Sequence, residues 1–228
     1  RRPFRIGEHL RRLQATLDGI RLANPHTESE WTELVEEVVR RNEWEDQSVY
    51  LQVTRGADVK RNHAFPKGVA PCVFLMSEPL ATPPAEQRAR GVGAITATDP
   101  RWLRCDLKTI TLLANCLLRQ KAVEAGCMEA ILVRDGFLTE GAASNIFVVK
   151  DGVMAGPPKS HLMLPGITYD VVLELAAAHG LPHRVREVSE DELRAADEIW
   201  MTSSTKEVLA ITALDGRAVG TGVPGPVW

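Results

Sequence analysis

The chain has 228 residues, of which 44% are hydrophobic and 25% charged, and its formal net charge is −3. These proportions are those of an ordinary folded protein with one or two apolar cores, and they exclude a disordered or fibrous chain. The small negative charge provides no general basic field, which argues against nucleic acid and anionic membranes and favours small-molecule partners. No apolar run in the sequence is long enough to span a membrane.

The first third of the chain predicts an α+β arrangement. Apolar residues at helical spacing predict one helix within residues 4–22 and a second within 28–42, and alternating residues predict strands at 48–56 and 71–77. A stretch rich in proline and charge follows at 77–91, which is typical of a domain boundary. The predicted organisation is a small N-terminal domain over 1–80, a linker over 81–91 and a large domain over 92–228.

The large domain alternates strands and helices. A strand is predicted at 91–98, a helix from about Leu112 to Gly126, a helix from Ile167 to Gly180, and a strand over 198–212 that a run of hydroxyl residues interrupts. Two Asp-Gly pairs, at 135–136 and 151–152, lie between β-rich runs and predict hairpins. Ser189 and Glu192 have the spacing of a capping box.

Lys108 precedes an apolar run (Ile110, Leu112, Leu113, Leu117 and Leu118) whose composition predicts burial. A lysine amine that loses its water beside apolar residues is easily deprotonated and can form a Schiff base with a carbonyl. The commoner arrangement is a lysine whose stem packs while its ammonium reaches solvent. Lys108 is therefore a candidate catalytic amine, and on its position alone the sequence leaves both alternatives open.

Glu140 follows a β-rich run and precedes Gly141, Ala142 and Ala143, small residues that let another group approach the backbone. A carboxylate there can keep a pyridine nitrogen protonated and so make the ring an electron sink. The alternative is a solvated turn carboxylate.

Two further segments have anion-binding chemistry. Gly166, Ile167 and Thr168 open a predicted helix, where free N–H groups favour an anion, and hydroxyl side chains cluster at Thr202–Thr205. Alone, each is more often an ordinary helix cap or polar loop. Together with an aldehyde-binding lysine, they fit pyridoxal phosphate.

Arg61 and His63 lie two residues apart after a strand, so that in an extended segment both point to one face. Such a pair suits a carboxylate substrate, although a solvated loop is the ordinary alternative. The four cysteines, Cys72, Cys105, Cys116 and Cys127, lack CxxC spacing, and the six histidines are widely separated. We therefore expect no metal site, and reduced thiols in a cytoplasmic protein.

Four motifs, in order, resemble the fold-type IV pyridoxal-phosphate aminotransferases, and within them the D-amino-acid aminotransferases: RWLRCDLKTITLL, EAILVRDGFLTEGAASNIFVVKDG, LPGIT and TSSTKEV. The segments EHLRRL, YLQVTRG and RNHAFP are similar to the small domain of that family, so that the resemblance covers essentially the whole chain. It implies a two-domain α+β fold, with a small α/β N-terminal domain and a larger, β-rich α/β C-terminal domain. It also implies a homodimer.

By this resemblance, Lys108 is the Schiff-base lysine, which also moves the proton between the substrate Cα and the cofactor C4′, and Glu140 pairs with the pyridine nitrogen. Arg61 and His63 match the pair that binds the substrate α-carboxylate. The remaining cofactor positions implied by the resemblance are Arg12, Ile167, Thr168 and Ser204 around the phosphate, Ser203 beside it, Leu164 behind the ring, and Arg101 nearby. Gly166, at the predicted helix start, completes the set of expected cofactor-binding residues.

The implied reaction is ping-pong transamination, from a D-amino acid of the D-alanine type to a 2-oxo acid such as 2-oxoglutarate. Three features depart from the family pattern. The chain begins at Arg1, so that we expect the small domain to lack its first strands and a substrate-binding tyrosine. We also expect a short C-terminal segment. Ala142 and Ala143 stand where serines are expected.

Four alternatives remain. Two share the fold: an L-branched-chain aminotransferase and an aminodeoxychorismate lyase, against which Arg61 and His63 argue. A serine enzyme of the penicillin-binding or β-lactamase type is a third, because Ser203 to Lys206 reads S-x-x-K. That assignment requires the motif to begin a helix, with SDN and KTG downstream, and neither follows. The fourth is a non-catalytic module that binds a phosphate ligand and needs no lysine at position 108.

Overall fold

A computed structural model describes residues 2–57 and 62–228. The chain divides into two compact units, of which the first ends at Ala81 and the second spans Thr82–Trp228. Among the described residues, no helix combines the length and the apolar character that crossing a bilayer requires.

The first unit contains two helices and a two-stranded sheet: α1 (Ile6–Gly19), α2 (Glu28–Arg40), β1 (Gln47–Thr54) and β2 (Cys72–Pro79). The strands pair antiparallel from Gln47 opposite Pro79 to Thr54 opposite Cys72. The helices bury Leu17 and Trp31 almost completely. All four elements predicted for this part of the chain are confirmed.

The second unit is built on one mixed sheet. Its elements are α3 (Ala85–Arg90), β3 (Val92–Thr98), α4 (Leu113–Glu124), β4 (Glu129–Arg134), β5 (Phe137–Gly141), β6 (Asn145–Lys150), β7 (Val153–Gly156), α5 (Ile167–Ala178), β8 (His183–Val185), α6 (Glu190–Arg194), β9 (Glu198–Ser203), β10 (Glu207–Leu214) and β11 (Arg217–Ala218). In the described residues the strand order is β5-β4-β3-β10-β9-β6-β7-β8, and β11 pairs with β10.

Residues 81–91, predicted as a linker, contain the helix α3. The Thr212 hydroxyl on β10 donates to the Arg90 carbonyl at 3.0 Å, and Arg88 pairs with Glu207 at 2.9 Å. These contacts attach α3 to the sheet of the second unit. Proline at the start of the segment is compatible with this helix, because a helix can begin directly after proline.

Both predicted hairpins are confirmed. Asp135-Gly136 connects β4 to β5 and Asp151-Gly152 connects β6 to β7, with positive φ at all four residues. This is the conformation that two-residue hairpin turns require and that Asp-Gly favours. A third pair, Asp215-Gly216, forms the same turn between β10 and β11 and was not predicted.

The apolar run after Lys108 was predicted to be buried, and most of it is exposed. The exposed fractions are 67% for Ile110, 47% for Leu112, 74% for Leu113 and 58% for Leu117. Helix α4 instead buries Leu118 and Ala122 against Ala130 and Leu132 of β4. A helix that packs one face on a sheet leaves its other faces at the surface.

Candidate functional site

Glu140 lies on β5 and is buried, with 5% of its surface exposed. Its carboxylate forms an ion pair with Arg101. It also accepts hydrogen bonds from the Asn145 side-chain amide at 3.1 Å and from the Leu164 N–H at 3.2 Å. The solvated turn carboxylate considered as an alternative is therefore wrong.

Arg101 connects Glu140 to a second buried carboxylate, that of Asp99. The Arg101 Nε and Nη2 atoms donate to the two oxygens of Asp99 at 2.9 and 2.8 Å, a bidentate pair. The Nη2 atom of Arg134, on β4, lies 3.2 Å from Oδ1 of Asp99. The Thr139 hydroxyl donates to Oδ2 of Asp99 at 2.9 Å. Two carboxylates and two guanidinium groups thus form one network, in which Asp99, Arg101 and Glu140 are buried and Arg134 is half-buried.

The two carboxylates have opposite pKa shifts. Burial raises the pKa of Glu140 to about 7, an effect that the charge and hydrogen bonds of Arg101 only partly offset. Burial also favours neutral Asp99, but the hydrogen bonds and charge of Arg101 prevail and lower its pKa to about 2. Asp99 therefore carries a permanent charge at neutral pH, whereas Glu140 can exchange a proton.

Asn145, the first residue of β6, joins this network to the start of α5. Its side-chain amide donates both to Glu140 and to the Leu164 carbonyl, the latter at 2.9 Å. A Cβ atom added at Gly166 would overlap the Asn145 side-chain oxygen. Only glycine lets the chain before α5 approach Asn145 so closely.

Helix α5 begins at Ile167, with Gly166 at its N-terminal cap in an extended conformation. The first N–H groups of a helix have no partner within it and favour an anion. Ile167 is buried and Thr168 half-buried. Thr202, on β9, pairs with Asn145 of the neighbouring strand β6. Strand β9 ends one residue later, at Ser203. Ser203 and Ser204 therefore lie at the same edge of the sheet as Asn145, which contacts Glu140.

Lys108 is exposed and lies in the irregular segment between β3 and α4, so that of the two alternatives left open for it the structure shows the lysine that reaches solvent. Helix α4 ties this segment to the residues after Glu140, because the Asn115 side-chain amide donates to the Ala142 carbonyl at 2.8 Å. The lysine thus follows Arg101 on a stretch that hydrogen-bonds at both ends to the Glu140 region.

Three predicted site residues belong to the first unit. Arg12 lies on α1, 3.4 Å from the His9 ring nitrogen, and His63 is exposed in an irregular segment. Arg61 lies outside the described residues.

The S-x-x-K motif lies in a hairpin. Ser203 ends β9, residues 204–206 form the turn to β10, and the Lys206 N–H donates to the Ser203 hydroxyl at 3.2 Å. A serine enzyme of the penicillin-binding type needs this motif at the start of a helix, so that the geometry contradicts that alternative.

The sequence matches the family described as Amino-transferase class IV over residues 1–214. The chain belongs to this family. It is 43% identical to the D-alanine aminotransferase of Bacillus licheniformis over 224 residues, which are 98% of this chain and 78% of that relative. It is 36% identical to the D-alanine aminotransferase of Staphylococcus epidermidis strain RP62A, over 98% of this chain and 79% of that protein.

Solved structures of branched-chain amino acid aminotransferases have the same fold. The branched-chain amino acid aminotransferase of Escherichia coli superposes with a TM-score of 0.90 at 29% identity, over 98% of this chain and 76% of that chain. The enzyme of the same name from Thermobaculum terrenum, in its PLP-form, gives 0.86 at 25% identity, over 98% and 74% of the two chains. The predicted family and the two-domain α+β fold class are confirmed.

The sequence did not reveal three residues of the network around Glu140: Asp99, Thr139 and Asn145. Arg101 lies only two residues from Asp99 but 39 from Glu140. A local motif search can find neither pairing across such a separation nor burial of a polar side chain. A useful signal was the DPRW sequence, which places an acid and a base two apart directly after a predicted strand.

Proposed function

We propose that this chain is a pyridoxal-phosphate-dependent transaminase, which moves the amino group of a D-amino acid of the D-alanine type to a 2-oxo acid such as 2-oxoglutarate. The observation that carries the proposal is the buried Glu140 carboxylate, whose raised pKa lets it share a proton with a pyridine nitrogen. The relatives named D-alanine aminotransferase support the D-amino acid as substrate.

The described polar groups of the second unit fit pyridoxal phosphate. A carboxylate suits the pyridine nitrogen, the open end of α5 with neighbouring hydroxyls suits the phosphate, and an exposed lysine amine suits the aldehyde. When bound, the cofactor supplies that aldehyde and a ring that withdraws electrons from the substrate Cα.

We assign the residues to roles as follows. Lys108 is the catalytic amine, which moves the proton between the substrate Cα and the cofactor C4′. Glu140 holds the proton at the ring nitrogen, and Arg101 keeps Glu140 in place. The other cofactor-binding positions are Arg12, Leu164, Gly166, Ile167, Thr168, Ser203 and Ser204, and the substrate carboxylate binds Arg61 and His63.

The assay that tests this proposal follows pyruvate formed from D-alanine in the presence of 2-oxoglutarate. We expect turnover that Lys108→Ala abolishes and that Lys121→Ala, which changes an exposed lysine on α4, leaves intact. Substantial transamination by the Lys108→Ala variant would overturn the assignment of the catalytic amine.

An L-branched-chain aminotransferase is the second candidate, because the solved structures above carry that name. An aminodeoxychorismate lyase is the third. Turnover of L-leucine with 2-oxoglutarate, in place of D-alanine, would favour the former. Pyruvate release from aminodeoxychorismate without any oxo acid would favour the lyase.

We also propose that the protein acts as a homodimer. The supporting observation is the exposed apolar segment Ile110–Leu117, four of whose leucine and isoleucine side chains are between 47% and 74% exposed. Large contiguous apolar surfaces mark interaction sites. A second copy of the chain is the occupant proposed here, because this segment follows the catalytic lysine directly.

The two units support a division into a small domain over 1–80 and a cofactor-binding domain over 92–228, which we retain as a proposal; helix α3, in the predicted linker, belongs to the second unit. We further propose a reducing, cytoplasmic location, because Cys72, Cys105, Cys116 and Cys127 are all free thiols. Nucleic acid and membrane lipids have no place in this proposal, in keeping with the net charge of −3.

A further inference from the structure

Asp99 is a buried carboxylate that accepts hydrogen bonds at both of its oxygens. Its side chain is completely buried, and it accepts from the Arg101 N–H at 3.0 Å in addition to the bidentate guanidinium pair. Arg134 and the Thr139 hydroxyl complete its surroundings. Each oxygen of this carboxylate thus accepts two hydrogen bonds.

Arg101 divides its charge unequally between two carboxylates. It gives Asp99 two side-chain N–H groups, one to each oxygen, and gives Glu140 one, from Nη1. Without Asp99, the whole charge of a buried guanidinium would act on Glu140, and a close opposite charge lowers the proton affinity of a carboxylate.

We propose that Asp99 is a positioning residue for transamination: it neutralises Arg101, so that Glu140 is held in place by a cation yet retains enough basicity to share a proton with the cofactor ring. The inference rests on the proposed function and extends it to a residue that acts on Glu140 through Arg101. Arg134 lowers the basicity of Glu140, because its positive charge partly neutralises Asp99.

The other described groups around Glu140 are uncharged, so that Asp99 and the two arginines alone set the charge of its surroundings. Asn145 and the Leu164 N–H contribute neutral donors from β6 and from the segment before α5. Cys105 is buried, and burial raises the pKa of its thiol, so that it stays uncharged at neutral pH. The charged groups of the network are therefore Asp99, Arg101, Arg134 and Glu140.

The test compares two charge changes of opposite sign, Asp99→Asn and Arg134→Gln, in the cofactor-free protein. Carbon-13 NMR of labelled glutamate carboxyls follows the titration of Glu140, and its signal is assigned by its loss in Glu140→Gln. We expect Asp99→Asn to lower the pKa of Glu140 by about one unit or more and Arg134→Gln to raise it. Asp197→Asn, at a surface aspartate paired with Lys150 at 2.8 Å, is the matched control and should leave it unchanged.

The same variants are then loaded with pyridoxal phosphate labelled with nitrogen-15 at the ring nitrogen. We expect that nitrogen to lose its proton at lower pH in Asp99→Asn and at higher pH in Arg134→Gln. Structural damage would move both variants in the same direction, so that opposite shifts separate electrostatics from misfolding. If Asp99→Asn fails to fold, the sign of the shift in Arg134→Gln decides alone.

An unchanged Glu140 titration in both variants, or shifts of the same sign, would overturn the role of Asp99. Failure of the wild-type protein to bind pyridoxal phosphate would instead overturn the proposed function, and the cofactor-free titration would still report on the network. The two failures are therefore distinguishable.

Discussion

At the residue scale, the sequence predicted the chemistry of single side chains better than their surroundings. Glu140 and Arg101 were both selected, and the structure joins them in one ion pair. Asp99 and Asn145 escaped prediction because their importance lies in contacts between distant parts of the chain. Lys108 was expected beside buried leucines, but it is exposed, and α4 buries Leu118 and Ala122 while most of the apolar run after Lys108 stays at the surface.

Glu140 should make the stability of the cofactor-free protein depend on pH. Its pKa is about 7 in the folded protein, above the ordinary value of a glutamate. A carboxyl with a raised pKa contributes stability that is complete below its unfolded pKa and is lost as the pH rises through the folded one. Urea unfolding at pH 5 and pH 8 should show a loss of up to about 3 kcal/mol over this interval.

Glu140→Gln should remove most of that loss, whereas Glu187→Gln, at an exposed site, should preserve it. An equal pH dependence in Glu140→Gln and wild type would show that other groups are responsible.

Gly166→Ala tests the close approach between α5 and Asn145. The added Cβ would overlap the Asn145 side-chain oxygen, and moving that side chain would disturb its hydrogen bonds to Glu140 and Leu164. We expect at least about 2 kcal/mol of destabilisation, together with weaker binding of pyridoxal phosphate in a fluorescence titration.

Gly7→Ala is the matched control. Its Cβ would meet only the ends of two long side chains, at 3.4 and 3.6 Å, and alanine favours the helix. It should be neutral or stabilising in thermal unfolding. A Gly166→Ala protein as stable as Gly7→Ala would mean that this contact is easily relaxed.

At the scale of single elements, the local sequence was sufficient to predict four helices and two hairpins. Helical periodicity predicted α1, α2, α4 and α5, and Asp-Gly pairs predicted two hairpins, because both signals depend on residues a few positions apart. The capping box at Ser189 is only half formed: its hydroxyl accepts from the Glu192 N–H at 3.1 Å, while the Glu192 carboxylate pairs with Arg186. Helix α3 was missed because proline and charge obscured a six-residue helix.

Gly152→Ala isolates the strain of one hairpin turn. Gly152 has a φ of +73°, and no atom lies within 4 Å of an added Cβ, so that only backbone strain opposes the change. We expect a cost of about 1 to 2 kcal/mol in the free energy of unfolding. Gly152→Asn should cost less, because asparagine tolerates this conformation, and equal costs for both would contradict the explanation.

At the scale of the whole molecule, the sequence predicted the fold only through its family resemblance. The strand order of the second unit places β10 between β3 and β9, and β3 and β10 run parallel. Along the chain, however, β3 ends at Thr98 and β10 begins only at Glu207, with six other strands between them. No local pattern encodes such a pairing, because loop closure and packing of the entire core decide it.

The exposed segment Ile110–Leu117 should be an interface between two copies of the chain. Leu113→Asp places a charge on a side chain that is 74% exposed, and burying an unpaired charge opposes association. We expect wild type to sediment as a dimer and Leu113→Asp to shift toward monomer. Val185→Asp, at a 48% exposed residue of β8, should remain dimeric, and a monomeric wild type at micromolar concentration would refute the interface.

The central claim is that this chain binds pyridoxal phosphate and uses it on D-amino acids. The most direct test is the visible absorption spectrum of the purified protein with pyridoxal phosphate, recorded before and after adding D-alanine and, separately, L-leucine. We predict a visible band from the cofactor bound to Lys108, which D-alanine bleaches and L-leucine leaves in place. Bleaching by L-leucine alone would contradict the choice of substrate, and the absence of any such band would contradict the function itself.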